Sequence, residues 1–107
     1  MLTFTKARLL AETWAQCVCG DGIELVQDAT IAKPYGWIFF YQSSAYLQNP
    51  EDFSLALAGN APVIIDRDSG EIILLGTALP TAEYLKRFED KLPPARMHVK
   101  IEQPVWL

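Results

Sequence analysis

The chain has 107 residues, half of them apolar and about a fifth charged, which is the range of one globular domain and excludes a disordered segment. Nine Lys and Arg against thirteen Asp and Glu leave a formal net charge of -4, the wrong sign for binding nucleic acid or an anionic membrane surface. No stretch approaches the roughly 20 apolar residues of a membrane span. The N-terminus lacks a basic segment leading into an apolar run and a small-residue cleavage site, so the expected address is the cytoplasm.

In chain order, Ala7, Leu10, Ala11, Trp14, Cys17 and Val18 recur at three-and-four spacing. They predict a helix from about Thr5 to Cys19, capped by Thr3 or Thr5 and ended by Gly20-Asp21-Gly22. Residues 23–33 are rich in branched side chains and partly alternate, and Pro34, with no N–H to give a ladder, closes them as a first strand. The aromatic run Tyr35 to Tyr41 predicts a central strand antiparallel to the first. Asn49-Pro50 breaks the pattern, and Glu51-Asp52 ahead of Phe53, Leu55, Ala56 and Leu57 reads as a short helix ending near Ala58. Gly59 and Asn60 tolerate left-handed backbone, and Pro62 keeps Ala61 extended as the chain re-enters the sheet. Val63 to Ile65 and Ile72 to Leu75 flank Asp66-Arg67-Asp68-Ser69-Gly70-Glu71, a hairpin turn with Gly70 at the positive-φ position.

Pro80 suits a first helical turn, after which Tyr84, Leu85, Phe88 and Leu92 form an apolar stripe, supported by Glu83/Arg87 and Lys86/Asp90 pairs four apart. Pro93-Pro94 ends this helix. Met97, Val99 and Ile101 then alternate with His98, Lys100 and Glu102, which predicts a last strand on a sheet edge within residues 93–107, with Trp106-Leu107 as its tail. The sum is a single α+β domain over residues 1–107. Its antiparallel sheet of four to five strands packs against an N-terminal and a C-terminal helix.

The chemistry-bearing residues do not converge. The 66–70 turn differs from a calcium loop in the position of its glycine, and Thr77 stands where a bidentate Glu belongs. His98, the only histidine, lies on the polar side of its alternation with no nucleophile beside it. Glu51-Asp52 and Glu89-Asp90 are adjacent pairs that point apart on a helix and read as solvated faces. Gly20-Asp21-Gly22 follows no strand and opens no helix, so it is not a phosphate loop. The aromatic strand has no basic residue interleaved between Lys33 and Arg67, which makes it core rather than a base-stacking platform. Cys17 and Cys19 diverge on a helix and are expected to be reduced thiols. No cofactor or metal is expected.

Five segments, taken together, resemble the immunity protein 35 domain family. They are Gly36-Trp37-Ile38-Phe39-Phe40-Tyr41, Leu57-Ala58-Gly59-Asn60-Ala61-Pro62, the 65–71 turn, Leu75-Gly76-Thr77-Ala78-Leu79-Pro80 and Glu83-Tyr84-Leu85. The resemblance runs over residues 36–89, and residues 93–107 are an extension outside its pattern. It implies a cytoplasmic immunity protein of a bacterial polymorphic-toxin or contact-dependent competition system, which binds a cognate toxin and catalyses nothing. Members with this pattern are also described as small chaperone-like stress proteins, so a holdase that binds many unfolded clients is the alternative. Trp37, Gly59, Asn60, Pro62, Asp66, Gly70, Gly76, Pro80 and Tyr84 read as fold-defining, through packing, backbone freedom and helix initiation.

A toxin interface then belongs to less patterned positions, because each immunity protein must discriminate its own toxin. Residues 9–66 hold seven acids against Lys33 alone, a bias whose usual consequence is solubility but which also draws a basic partner. Glu24 and Asp28 are therefore expected to speed encounter with a basic toxin. Tyr35 and Trp106, the aromatics least needed by the core, are the expected anchors. The protein is expected to be a monomer, or a homodimer paired through its last strand.

Overall fold

A computed structural model describes residues 1–106. The elements are α1 (Phe4–Cys19), β1 (Ile23–Leu25), β2 (Ile31–Lys33), β3 (Gly36–Phe39), β4 (Tyr41–Ser43), α2 (Ser44–Gln48), β5 (Val63–Asp66), β6 (Ile72–Leu74) and α3 (Thr81–Asp90). Short 3-10 turns lie at Gln27–Ala29, Phe53–Leu55 and Pro94–Met97. Four strands form an antiparallel sheet in the order β2-β3-β5-β6, and β1 pairs with β4 as a separate two-stranded ladder. The fold is α+β, as the sequence predicts.

Every residue of β3 and β5 is buried, which is why their sequences run apolar without alternation. Trp37, Phe39, Val63 and Ile65 face α1, where Phe4, Ala7, Ala11 and Ala15 meet them. Ile38 and Ile64 face the other way, against Leu85 and Phe88 of α3 and the neighbouring Tyr35. The sheet is thus a layer between two helices. Alanine at 7, 11 and 15 lets α1 lie close to it, since a larger side chain on that stripe would hold the backbones apart. Thr3 caps α1 by accepting a hydrogen bond from the Lys6 amide.

The single first strand expected over 23–33 is instead two. Leu25 pairs with Tyr41 and Ile31 with Ile38, so five residues on one side stand opposite two on the other. The surplus is taken up by the Gln27–Ala29 turn, and Phe40 is the matching break between β3 and β4. The helix expected over 51–58 also does not form. Helix α2 begins earlier, at Ser44, with the Ser43 hydroxyl accepting from the Tyr46 amide. The Leu57 amide is meanwhile taken by the Gln42 side chain, which leaves only a 3-10 turn with Asp52 accepting from the Ser54 amide.

The last strand is the largest correction. Beyond the Pro94–Met97 turn, residues 98–106 form no strand and join no ladder. They run as a strap held by side chains. The Arg67 guanidinium donates to the Lys100 carbonyl, and the Trp37 indole N–H donates to the Glu102 carbonyl at 2.9 Å. The Glu102 carboxylate accepts from the Phe4 amide at 2.8 Å, placing a negative charge at the N-terminus of α1, where the helix dipole favours it. These partners are bound across the chain, and the 97–102 alternation breaks at its end, where Ile101 is exposed and Glu102 turns inward. The premise for a dimer paired through that strand falls away with it. Leu107, grouped with Trp106 in the sequence reading, lies outside the described residues.

Candidate functional site

Helix α1 buries its alanine stripe and presents a different surface on each side of it. Arg8, Glu12 and Gln16, four apart, form one flank. They stand across from Ile23, Glu24 and Leu25 of β1 and from Gln27, with Trp106 at one end, and enclose a polar groove of about 210 Å³. Glu24 is exposed and accepts a hydrogen bond from the Ser44 hydroxyl at 2.9 Å. Arg8 pairs with Glu12 at 2.6 Å, and its guanidinium lies over the Trp106 ring, 4.7 Å from the centroid. Trp106 also packs against Phe4 in a T-shaped contact, with ring centroids 5.1 Å apart. The strap therefore fixes the indole half-buried, as a wall of the groove.

Two of the four residues expected to meet a partner, Glu24 and Trp106, thus line one groove although 82 positions apart in the chain. Asp28 is exposed on the adjoining 3-10 turn, next to the lining residue Gln27. Tyr35 is a correction, because it is only 1% exposed and belongs to the core under α3. The turn at Pro34-Tyr35 folds its ring against Phe88 at 5.1 Å, and its hydroxyl donates to Glu89 at 2.8 Å. Burial first, and Glu89 second, push the phenol far above the ordinary tyrosine range. It is not a surface anchor.

The nine residues expected to define the fold are placed as follows. Trp37 joins the core to the strap, and Gly59 takes a positive φ of 71°. The Asn60 side chain donates to the Tyr41 carbonyl, and the buried Pro62 accepts from the Leu75 amide. Gly70 closes the β5–β6 turn at φ 76° with its amide on the Asp66 carbonyl. A side chain at Gly76 would meet the Tyr84 hydroxyl at 2.3 Å. That hydroxyl accepts from the Ala78 and Leu79 amides, and Pro80 stands at the N-cap of α3.

Three charged residues escaped the sequence reading. Arg67 and Glu102 hold the strap as described, and Arg96 reaches back to both carboxylate oxygens of Asp66 at 3.2 Å and to Asp68 at 3.1 Å. Their partners lie 28 to 98 positions away, and no local pattern marks such pairs. Burial works to raise the Asp66 pKa, but the Ser69 and Asp68 amides and Arg96 outweigh it and hold the carboxyl below its ordinary value. A depressed acid contributes stability that is present above its unfolded pKa, about 4, and is lost as the pH falls through the folded value. The urea midpoint of the wild type is therefore expected to exceed that of Asp66→Asn near neutral pH, with the gap closing as the pH falls below the ordinary carboxylate pKa of about 4. A gap independent of pH would sink this account.

Among the described residues no group of three or more His, Cys, Asp or Glu is placed to hold a metal, and no helix is long and apolar enough to cross a membrane. His98 is exposed, as expected, and both cysteines are free, with Cys17 exposed and Cys19 half-buried.

The family model described as immunity protein 35 matches residues 6–90. The chain belongs to the immunity protein 35 family. The match takes in α1 from Lys6 onward, both ladders and all of α3, and leaves the strap outside. Within the groove, the chain therefore combines family positions on α1 and β1 with Trp106 from the part beyond the match. A curated relative, described as uncharacterized protein YrhB of Escherichia coli (strain K12), is 50% identical over 56 residues. That alignment covers 52% of this chain and 58% of the relative. No solved structure matches the chain.

Proposed function

We propose that this protein is a cytoplasmic immunity protein that neutralises a cognate bacterial toxin by stoichiometric binding, with a basic surface of the toxin seated on the groove beside α1. Membership of the immunity protein 35 family over residues 6–90 carries the reading. The groove supplies its chemistry, for it places the Glu12 and Glu24 carboxylates beside a fixed indole wall. Carboxylates at a rim raise the rate of encounter with a basic partner, and a half-buried aromatic offers contact area that is already ordered. A standard interface buries roughly 1,600 Å² in total, so the toxin contact extends beyond the groove onto the Asp28 turn. No covalent or cofactor step belongs to this function.

The test is affinity capture of the tagged chain from its own cells, at several salt concentrations and with and without heat stress, followed by mass spectrometry. One dominant partner at equal stoichiometry, whose toxicity co-expression abolishes, is the expected result. Glu24→Lys is then expected to slow association several-fold at low salt, the effect shrinking as salt screens it. Unchanged association at every salt concentration would remove Glu24 from the interface. Many partners that appear only after heating would instead favour a holdase, a reading supported by exposed apolar side chains such as Val18, Phe53 and Leu74.

A further inference from the structure

The opposite flank of α1 is apolar. Leu10, Trp14 and Val18 are four apart on the side of the alanine stripe away from the groove. Trp14 and Val18 share a recess of about 220 Å³ with Tyr41, Leu57 and Leu74. Leu74 is 60% exposed and Val18 62%. Leu74 belongs to β6, which ends the sheet order and, among the described residues, has no strand on its outer side. The Asp66 amide donates to the Glu71 carbonyl and the Leu75 amide to the Pro62 carbonyl. Antiparallel ladders alternate, so the N–H and C=O groups of Ile72 and Leu74, the pairs between these bonds, point outward. Natural edges are usually blunted by charge, proline or a bulge. Residues 72–79 carry no charge and no proline.

We propose that β6 pairs antiparallel with β6 of a second copy of this chain, about a two-fold axis at Ile73, joining two four-stranded sheets into one. A two-fold interface must be self-complementary, and this edge is. In that register Ile72 of each copy stands opposite Leu74 of the other, and the outward backbone groups of the pair satisfy each other. Ile72 lies on the α1 side of the sheet and Ile73 on the α3 side. Each copy's Leu74 thereby covers Ile72 of the other beside the Leu10 and Val18 flank.

Charge selects the same occupant. The chain carries a net -4, so a second copy is repelled wherever its acids meet acids and approaches most easily at a seam with none. Residues 72–82 and the Leu10, Trp14 and Val18 stripe form such a seam. A basic partner is drawn instead to the groove on the far flank, which this dimer leaves open in both copies.

The test is sedimentation equilibrium of the full chain from roughly 1 to 100 μM, the range in which a modest interface declares itself, with hydrogen exchange at the Ile72 and Leu74 amides. A dimer is expected, with both amides more protected at high concentration. Leu74→Lys sets two like charges at the seam and is expected to raise the dimer dissociation constant at least about tenfold. Its thermal midpoint at low concentration should stay close to that of the wild type, because Leu74 is exposed. Leu9→Lys, at a 63% exposed position on the outer face of α1, should dimerise like the wild type. A monomer throughout the range, a Leu74→Lys dimer as tight as the wild type, or a dimer whose two amides exchange independently of concentration would each overturn the proposal. Equal loss of dimer in Leu9→Lys would do the same.

Discussion

Trp37→Ala is expected to destabilise the domain by about 3–5 kcal/mol, the cost of emptying a fully packed aromatic site. Total stabilities of small domains are about 5–15 kcal/mol, so the variant should be largely unfolded at body temperature or close to it. Trp37 has no exposed surface, meets the edge of Phe4 at 5.9 Å and lies under the Arg67 guanidinium at 5.5 Å. Truncation leaves a cavity between β3 and α1 and also orphans the Glu102 carbonyl, the acceptor of the indole N–H. The strap is thereby loosened where it crosses the start of α1. Trp37→Phe refills most of the cavity but not the hydrogen bond, and should fall between the two. Urea denaturation followed by far-UV circular dichroism checks the order. A wild-type midpoint in Trp37→Ala would mean that the strap and core are not joined there.

Gly36→Ala is expected to cost more than about 3 kcal/mol, although it adds one methyl group. A Cβ built at Gly36 would lie 2.1 Å from the Ile65 carbonyl oxygen and 3.1 Å from its carbon. Both atoms are backbone of β5, held by the β3–β5 ladder and by the Arg67 amide on the Tyr35 carbonyl. They cannot swing aside as a side-chain tip does. The two central strands must separate, and the faces against α1 and α3 loosen together. Gly22→Ala is the matched control, since its Cβ would meet nothing within 4 Å, and it should change stability by no more than about 0.5 kcal/mol. Equal melting curves for the two variants would contradict the close approach of β3 and β5.

These effects fall where sequence reading succeeds and fails. The β5–β6 hairpin was legible because its turn is local: Asp66 accepts from the Asp68 and Ser69 amides, and Gly70 supplies the positive φ. Helices α1 and α3 were legible because periodicity and end signals agree. The 23–33 run reads locally as one strand, since a surplus of residues becomes visible only once Tyr41 and Ile38 are known as partners. The close approach of Gly36 to β5 leaves no local mark either, because it depends on the same distant pairing.

The candidate site divides along the same line. Its acidity was readable from composition, and Glu24 and Trp106 could be chosen as polar and aromatic residues without an evident place in the core. Their meeting in one groove could not be read, because it depends on the strap crossing α1 and on Arg8 holding the indole. Tyr35 went wrong because a tyrosine in a turn looks exposed until α3 is laid over it. The chain's own order of residues thus determined the α+β class, the two main helices, the hairpin and the family. The tertiary structure alone decided the split ladder, the strap in place of a last strand, the burial of Tyr35 and the two unlike flanks of α1. Helix periodicity and tight turns are interactions among near neighbours and leave a mark in the sequence. Burial, long-range ion pairs and sheet edges depend on which distant segments arrive, and no local spacing records that.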